Sequence, residues 1–431
     1  MSEARCVRLD LQDYRTGIVH VTCPAPAELL LEALDVDNGI EVIGLRQDAG
    51  QVQYDLKTVY RDCVGADKQR NLVYPFMNER EIFIASGALP YPVGWENGAR
   101  FAVQIDHLPP GFTVYSNWNT GEHVPAKLSN FFVYCAADQQ PFTYQYRRGD
   151  GTILTLNLLV QAGKTIPVAA ADLFAFVDGY LRYLETNLGI YNRTHAVNIL
   201  VLQAPDDFEQ LANGKSFATG EMMVNGLVCY APPNSDYLEK TLGYRDYGAY
   251  LYDGLAHELT HLYTSTAGED KSMMYSSAAC PALDARLMGE ALAGYVHNTY
   301  MQRVYYGRAD GMITDAIPRW LGKARGRRFP ILDWFLLDGW LQANFQVTVL
   351  DVFREMVKRS NWAPFDSVDF LFTTLNDVFS IETPPDIREM LTGEGVPDYV
   401  TWVGEALATR GFRLVEQNNQ FQVCAEEQGN K

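Results

Sequence analysis

The segment GLAHELTHLYTS, residues 254–265, places His257 and His261 four apart, with Glu258 between them. Imidazole nitrogens are good ligands for zinc, and a carboxylate beside them can serve as a general base. The chemistry open to this set is hydrolysis assisted by a metal ion, provided the three residues ride on a helix. H-E-x-x-H also turns up by chance in unrelated chains, so the helical frame is what gives the motif weight. The flanking residues predict that frame. Leu251, Leu255, Leu259 and Leu262 recur at spacings of four, four and three across about 248–267, and Gly268 supplies a stop. On such a helix His257 and His261 stand one above the other, about 6 Å apart along the axis, so both rings can turn to one ion. Glu258, offset by one residue, cannot join the same pair of bonds but can reach a water held at the open coordination position.

A catalytic zinc usually takes three protein ligands and keeps a position for water. The next helix is predicted over PALDARLMGEALAGYVHNTYMQRVYYG (281–307), with Pro281 suited to its first turn and Gly307 to its end. It offers Glu290 and His297, which are seven apart and therefore on one face, but about 10 Å apart along the axis. One ion takes one or the other. The intervening loop is long enough for the second helix to fold back antiparallel and present Glu290, the preferred third ligand, with His297 as the alternative. Glu269 and Asp270, just past the first helix, are weaker candidates because the loop would have to turn back sharply.

These helices need a frame to hold them. At 431 residues, with 47% hydrophobic, 20% charged and 12% aromatic residues, the chain has the profile of a packed globular protein of two or three domains. Residues 1–165 read as strands: short β-branched and aromatic runs such as TGIVHVTCPAP, GIEVIGLRQ, REIFIASGALPYPV and FTYQYRRGDGTILTLNLLVQ are punctuated by Gly, Pro, Asn and Asp. His20, His107 and His123 look isolated there. From about 166 the period becomes helical in VAAADLFAFVDGYLRYLETNLG, which stops at Gly189. A strand, AVNILVLQ, follows, then FATGEMMVNGLVCYAPP, which suggests an edge strand or hairpin. Residues 319–431 are dominated by helical patterning. The expected fold class is multidomain α+β: a β-sandwich-like segment 1–165, an α/β segment 166–318 carrying the HExxH helix, and an all-α segment 319–431.

A net charge of −18 disfavours nucleic acid and anionic membranes as partners, and the short basic run GKARGRRF (322–329) reads as a solvated loop. The seven cysteines are scattered, with no C-x-x-C, which argues against a disulfide framework or a cysteine zinc site. The N-terminal residues lack the apolar run of a signal peptide, and no stretch is long and apolar enough for a membrane span. A cytoplasmic setting is the expectation.

HELTH, then 28 residues, then Glu290 in MGEALAGY resembles the gluzincin metallopeptidases, which carry H-E-x-x-H on one helix and a glutamate ligand on the next. The gap is longer than in aminopeptidase N and is more like that of the glycyl aminopeptidase family. The resemblance is strong at the zinc motif and weaker elsewhere, where FLLDGWLQANF and LTGEGVPD sit at the places of that family's later motifs. It implies a thermolysin-like catalytic core between the β-rich and helical segments, without the PDZ domain many relatives carry after the helices. It implies Zn²⁺ on His257, His261 and Glu290, Glu258 as the base, and a peptide as substrate. Glu221, in ATGEMMVNG, lies where relatives place a glutamate that binds the substrate's free α-amine, and Gly220 would let the peptide backbone approach closely.

Two departures bear on catalysis. Relatives stabilise the oxyanion with a tyrosine at a helix start whose counterparts here are Phe335 and Leu336, neither a hydrogen-bond donor. Losing such a donor costs about 10²–10³ in rate. Tyr295, Tyr300, Tyr305 and Tyr306 are the nearby substitutes. The E-G-F-T pattern of the family has become E-A-L-A.

Overall fold

In the computed structural model the described residues are 5–24, 40–48, 51–58, 76–85, 101–117, 123–124, 132–137, 139–166, 168–191, 194–203, 220–223, 226–231, 247–264, 286–360, 368–393 and 395–425. Gly268, Glu269, Asp270 and Pro281 lie outside them. The chain divides into two compact units. The first comprises Met1–Asp178, Asn192–Glu258 and Ala267–Ser272, and the second Gly179–Tyr191, Leu259–Thr266 and Met273–Lys431.

Among the described residues the first unit holds three sheets. One has the order β3-β4-β2-β1-β7-β9, from β1 (Arg5–Asp10), β2 (Ile18–Pro24), β3 (Ile40–Asp48), β4 (Gln51–Thr58), β7 (Phe101–Asp106) and β9 (His123–Val124). The second has the order β5-β6-β10-β8, from β5 (Phe76–Met77), β6 (Glu81–Ala85), β8 (Phe112–Ser116) and β10 (Phe132–Ala137). The third, β11-β12-β13-β15-β14, joins β11 (Phe142–Arg147) and β12 (Ile153–Val160) to β13 (Ala196–Gln203), β15 (Gly226–Ala231) and β14 (Gly220–Met223).

Side chains alternate across a strand, and β6 and β10 use both faces. Ile82, Ile84, Val133 and Cys135 pack with Val7, Val21, Tyr54 and Leu56 of the first sheet. Phe83, Phe132, Tyr134 and Ala136 pack with Leu159, Leu200, Leu202 and Val228 of the third. The middle sheet is therefore apolar on both sides, where a simple sandwich predicts alternation. The third sheet also runs across residue 165, so the β-rich and α/β segments share one sheet. Its β12, β13 and β15 are parallel, and β14 is added antiparallel at the edge, as the strand-or-hairpin reading of FATGEMMVNGLVCYAPP expects.

α1 (Ala170–Leu188) and α2 (Tyr247–Thr264) each cross the boundary between units. α1 ends where Gly189 adopts φ +96°, a left-handed position that glycine tolerates without a Cβ clash. The second unit continues with α3 (Leu292–Tyr300), entered through a π-helical stretch Arg286–Ala291 and left through another, Met301–Tyr305. After it come α4 (Ile317–Ala324), α5 (Pro330–Phe345), α6 (Val349–Ser360), α7 (Asp369–Phe379), α8 (Pro385–Thr392) and α9 (Tyr399–Ala408).

The expectation of an all-α C-terminal segment needs correction, because it closes with a hairpin, β16 (Phe412–Gln417) and β17 (Gln420–Ala425). Asn418 and Asn419, at φ 53° and 60°, make the turn: asparagine tolerates left-handed backbone, which matches the twist of a two-residue hairpin loop.

The basic run 322–329 is tied into the unit. Arg325 pairs with Glu416 and lies over the Phe421 ring, and Arg328 bonds the buried Asp333 and the carbonyls of Met390 and Gly393. Cys6, Cys23, Cys135, Cys229 and Cys424 are free thiols. Among the described residues no helix is long and apolar enough to cross a membrane.

Candidate metal centre

α2 turns its leucine stripe inward: Leu251, Leu255, Leu259 and Leu262 are all at most 1% exposed. In the first unit Tyr252 stacks on Phe176 of α1, ring centroids 4.4 Å apart. In the second, the Tyr263 hydroxyl donates to the Gly189 carbonyl at 3.0 Å, and Tyr180 and Thr260 share a short buried hydrogen bond. Residues on both flanks of the HExxH stretch are therefore packed or hydrogen-bonded within their own unit.

His257, His261 and Glu290 each offer a ligand atom, and these atoms all lie within 4.8 Å of one another. His261 Nε2 stands 3.7 Å from Glu290 Oε1. Two donors on a tetrahedral zinc, each bonded at about 2.0–2.2 Å, are roughly 3.4 Å apart, so the observed spacing is close to what one ion requires. The donor set, two imidazoles and one carboxylate, is that of hydrolytic zinc sites rather than of structural ones. The residues fit the metal.

Glu290 projects from the π-helical stretch Arg286–Ala291. Its neighbours Leu287, Met288 and Ala291 are buried, while its own side chain is 55% exposed. Widened turns of this kind leave backbone carbonyls without their usual partner and often mark functional positions. Here the buried Trp334 of α5 donates its indole N–H to the Leu287 carbonyl at 2.7 Å. His261 is buried, with Nδ1 3.0 Å from the Thr264 hydroxyl.

Glu258 is also buried. Its charge acts on Cys229 of β15, whose thiol is pushed well above the ordinary range by burial first and by Glu258 second. The residue that follows the first metal-facing histidine is thus placed in an enclosed environment, where a carboxylate can act without competition from bulk water.

The other candidates fall elsewhere. His297 is a satisfied buried histidine: Nδ1 donates to the Ala293 carbonyl at 3.1 Å, and Nε2 accepts from Asn298 Nδ2 at 2.9 Å. Gly220 and Glu221 lie in the edge strand β14, opposite Cys229 and Val228. Phe335 and Leu336 are buried in α5, and Arg410 lies over the Phe335 ring. The Tyr295 hydroxyl is hydrogen-bonded to Asp338, Tyr300 packs its ring against Tyr180 and Tyr183, and Tyr305 and Tyr306 are exposed. His20 and His107, isolated in sequence, are paired in the fold. His20 bridges Asp13 and Asp55 at 2.8 and 2.7 Å, which raises its pKa, and His107 meets Asp10 at 2.7 Å. Sequence reasoning passed over Thr264 and Trp334. The first could have been found from its place three residues after His261, whereas the second gives no local signal.

No family model and no curated protein matches the chain. Its fold is similar to that of an aminopeptidase N family protein from Idiomarina loihiensis, with TM-score 0.61 and 11% identity over 96% of this chain and 79% of that one. It is also similar to an M1 zinc metallopeptidase from Deinococcus radiodurans, with TM-score 0.51 and 12% identity over 92% of this chain and 95% of that one. A third similar structure is Legionella pneumophila aminopeptidase A in complex with aspartic acid, with TM-score 0.54 and 9% identity over 91% of this chain and 49% of that one. At these identities the likeness is one of fold.

Proposed function

We propose that the chain is a zinc-dependent metallopeptidase, an aminopeptidase of the gluzincin type with the motif order of the glycyl aminopeptidases. The observation that carries this reading is the convergence of His257, His261 and Glu290. The fold likeness supports it, and one of the similar Deinococcus radiodurans structures is bound to a Tyr-Ser-Ala substrate.

In this reading the two imidazoles and the Glu290 carboxylate hold Zn²⁺. A zinc ion there supplies Lewis acidity for the scissile carbonyl and makes water a better nucleophile at neutral pH. Glu258 receives the proton of the attacking water on a carboxylate oxygen and delivers it to the nitrogen of the leaving amine. Its burial keeps that proton within the site. Glu221 binds the substrate's α-ammonium, and Gly220, lacking a Cβ, lets the peptide run close along the β14 edge.

Replacing Glu258 with Gln tests the assignment. The variant retains stoichiometric zinc, and turnover of aminoacyl and internally quenched peptides falls about 10²–10⁴-fold. Equal turnover by variant and wild type refutes the role. A second reading, zinc-dependent peptide binding without efficient turnover, is favoured by the hydroxyl-free pair Phe335 and Leu336 and by the engagement of Tyr295 with Asp338. Peptide affinity and bound zinc with no hydrolysis across a broad library would select it.

A further inference from the structure

We infer that Thr264 is a positioning residue of the metal centre, whose hydroxyl accepts a hydrogen bond from Nδ1–H of His261 in the metal-binding tautomer and holds the ring so that Nε2 faces Glu290. The inference rests on the zinc reading above and deepens it.

A neutral imidazole carries one N–H and one lone pair, and only the nitrogen without the proton can bind a metal. His261 points Nε2 toward Glu290, 3.7 Å away, and Nδ1 toward Thr264 Oγ1, 3.0 Å away. For Nε2 to be the ligand, the proton must sit on Nδ1, and that N–H is buried and needs an acceptor. Thr264 supplies one. It is fully buried, three residues on from His261 along α2, where side chains share a face. A helical threonine ordinarily returns its hydroxyl to a backbone carbonyl one turn back. Among the described residues, the hydrogen-bond partner of the Thr264 hydroxyl is instead the His261 ring.

The usual partner of a metal-bound histidine is a carboxylate or a backbone carbonyl, which holds the ring and raises its basicity. A hydroxyl differs in both respects. It adds no charge, and it can rotate to donate as well as accept. With metal bound, Thr264 accepts from Nδ1–H. Without metal it can donate to Nδ1, and the imidazole proton then moves to Nε2. Thr264 thus accommodates both tautomers while fixing the plane of the ring.

The test compares the full-length wild type, Thr264→Val and Thr264→Ser, using zinc alone as the probe. Affinity is read by competition with a chromogenic chelator, and the metal-free melting temperature checks folding. Valine has threonine's shape without its hydroxyl, so the expected result is zinc binding weakened about 10–100-fold, as for loss of other partners of metal-bound histidines. Serine restores near wild-type affinity even if it lowers the melting temperature. If the valine variant does not fold, Thr264→Ala removes the same hydroxyl with no branched side chain to accommodate. Wild-type zinc affinity in a folded Val or Ala variant overturns the inference and leaves the proposed function standing. A wild type that binds no zinc overturns the proposed function and the inference with it.

Discussion

Glu290 and His297 sit on the same helical run, and exchanging their predicted behaviours is the sharpest check on the centre. Glu290 is exposed through 55% of its side chain, so Glu290→Gln changes metal-free stability by no more than about 0.5 kcal/mol. His297 is 6% exposed, with both ring nitrogens bonded. His297→Ala removes two buried hydrogen bonds, each worth roughly 0.5–1.5 kcal/mol net, and leaves a cavity, for a loss of about 2–4 kcal/mol. Zinc supplied at 100-fold over its dissociation constant stabilises the wild type by about 2.7 kcal/mol through mass action. Thermal melts of the three proteins with and without zinc separate the contributions. In the Glu290 variant the zinc-induced shift is lost from an almost unchanged baseline, and in the His297 variant it persists on a lowered one. A His297 variant that no longer responds to zinc, beside a Glu290 variant that does, would refute the ligand set.

Two further expectations concern the scaffold of the second unit. Trp334→Phe leaves the buried Leu287 carbonyl without its indole donor, which destabilises the fold by about 1–3 kcal/mol, measured by chemical denaturation, and loosens the stretch that carries Glu290, read as weaker zinc affinity. Asp333, fully buried, has its pKa pushed up to about 7 by burial, with Arg328 and Tyr399 acting against the rise. Its folded value lies above its unfolded value near 4, so its contribution is fully present below about pH 4 and is lost as pH rises through about 7, a swing on the order of 4 kcal/mol. Stability of the wild type should therefore fall between pH 5 and 8 relative to Asp333→Asn, and parallel pH profiles of the two proteins would contradict this assignment.

Much of the metal centre's frame is legible in the residues because it is local. His257, Glu258 and His261 belong to one helix, and the leucine stripe that fixes its orientation lies within a few residues of them. The third position is harder to read. Glu290 and His297 share a face, and choosing between them depends on Trp334 drawing the π-helical stretch into place and on Asn298 satisfying the His297 ring, neither of which leaves a periodic trace. The strands of the first unit were readable from β-branched runs and turn residues. Their layering was not, since β10 has apolar residues on both faces and a strand buried on both sides loses the alternation that reports on orientation. The C-terminal hairpin was obscured by the strongly helical residues before it, although Asn418 and Asn419 are themselves a turn signal. The pairing of His20 with Asp13 and Asp55 depends on the registers of β2 and β4 and could not be seen from spacing.

The middle sheet is fastened to the third by more than its apolar side. Tyr134 donates to Glu81, Gln161 donates to the same carboxylate, and Ala162 donates its N–H back to the Tyr134 oxygen, at 2.6, 2.7 and 2.7 Å. A polypeptide cut near residue 165 would keep Glu81 and Tyr134 but lose β13 and β15, and its exposed wall of Phe83 and Phe132 would invite self-association. The β-rich stretch is thus no detachable accessory: its middle sheet and the third sheet bury each other's apolar faces and must be expressed as one piece.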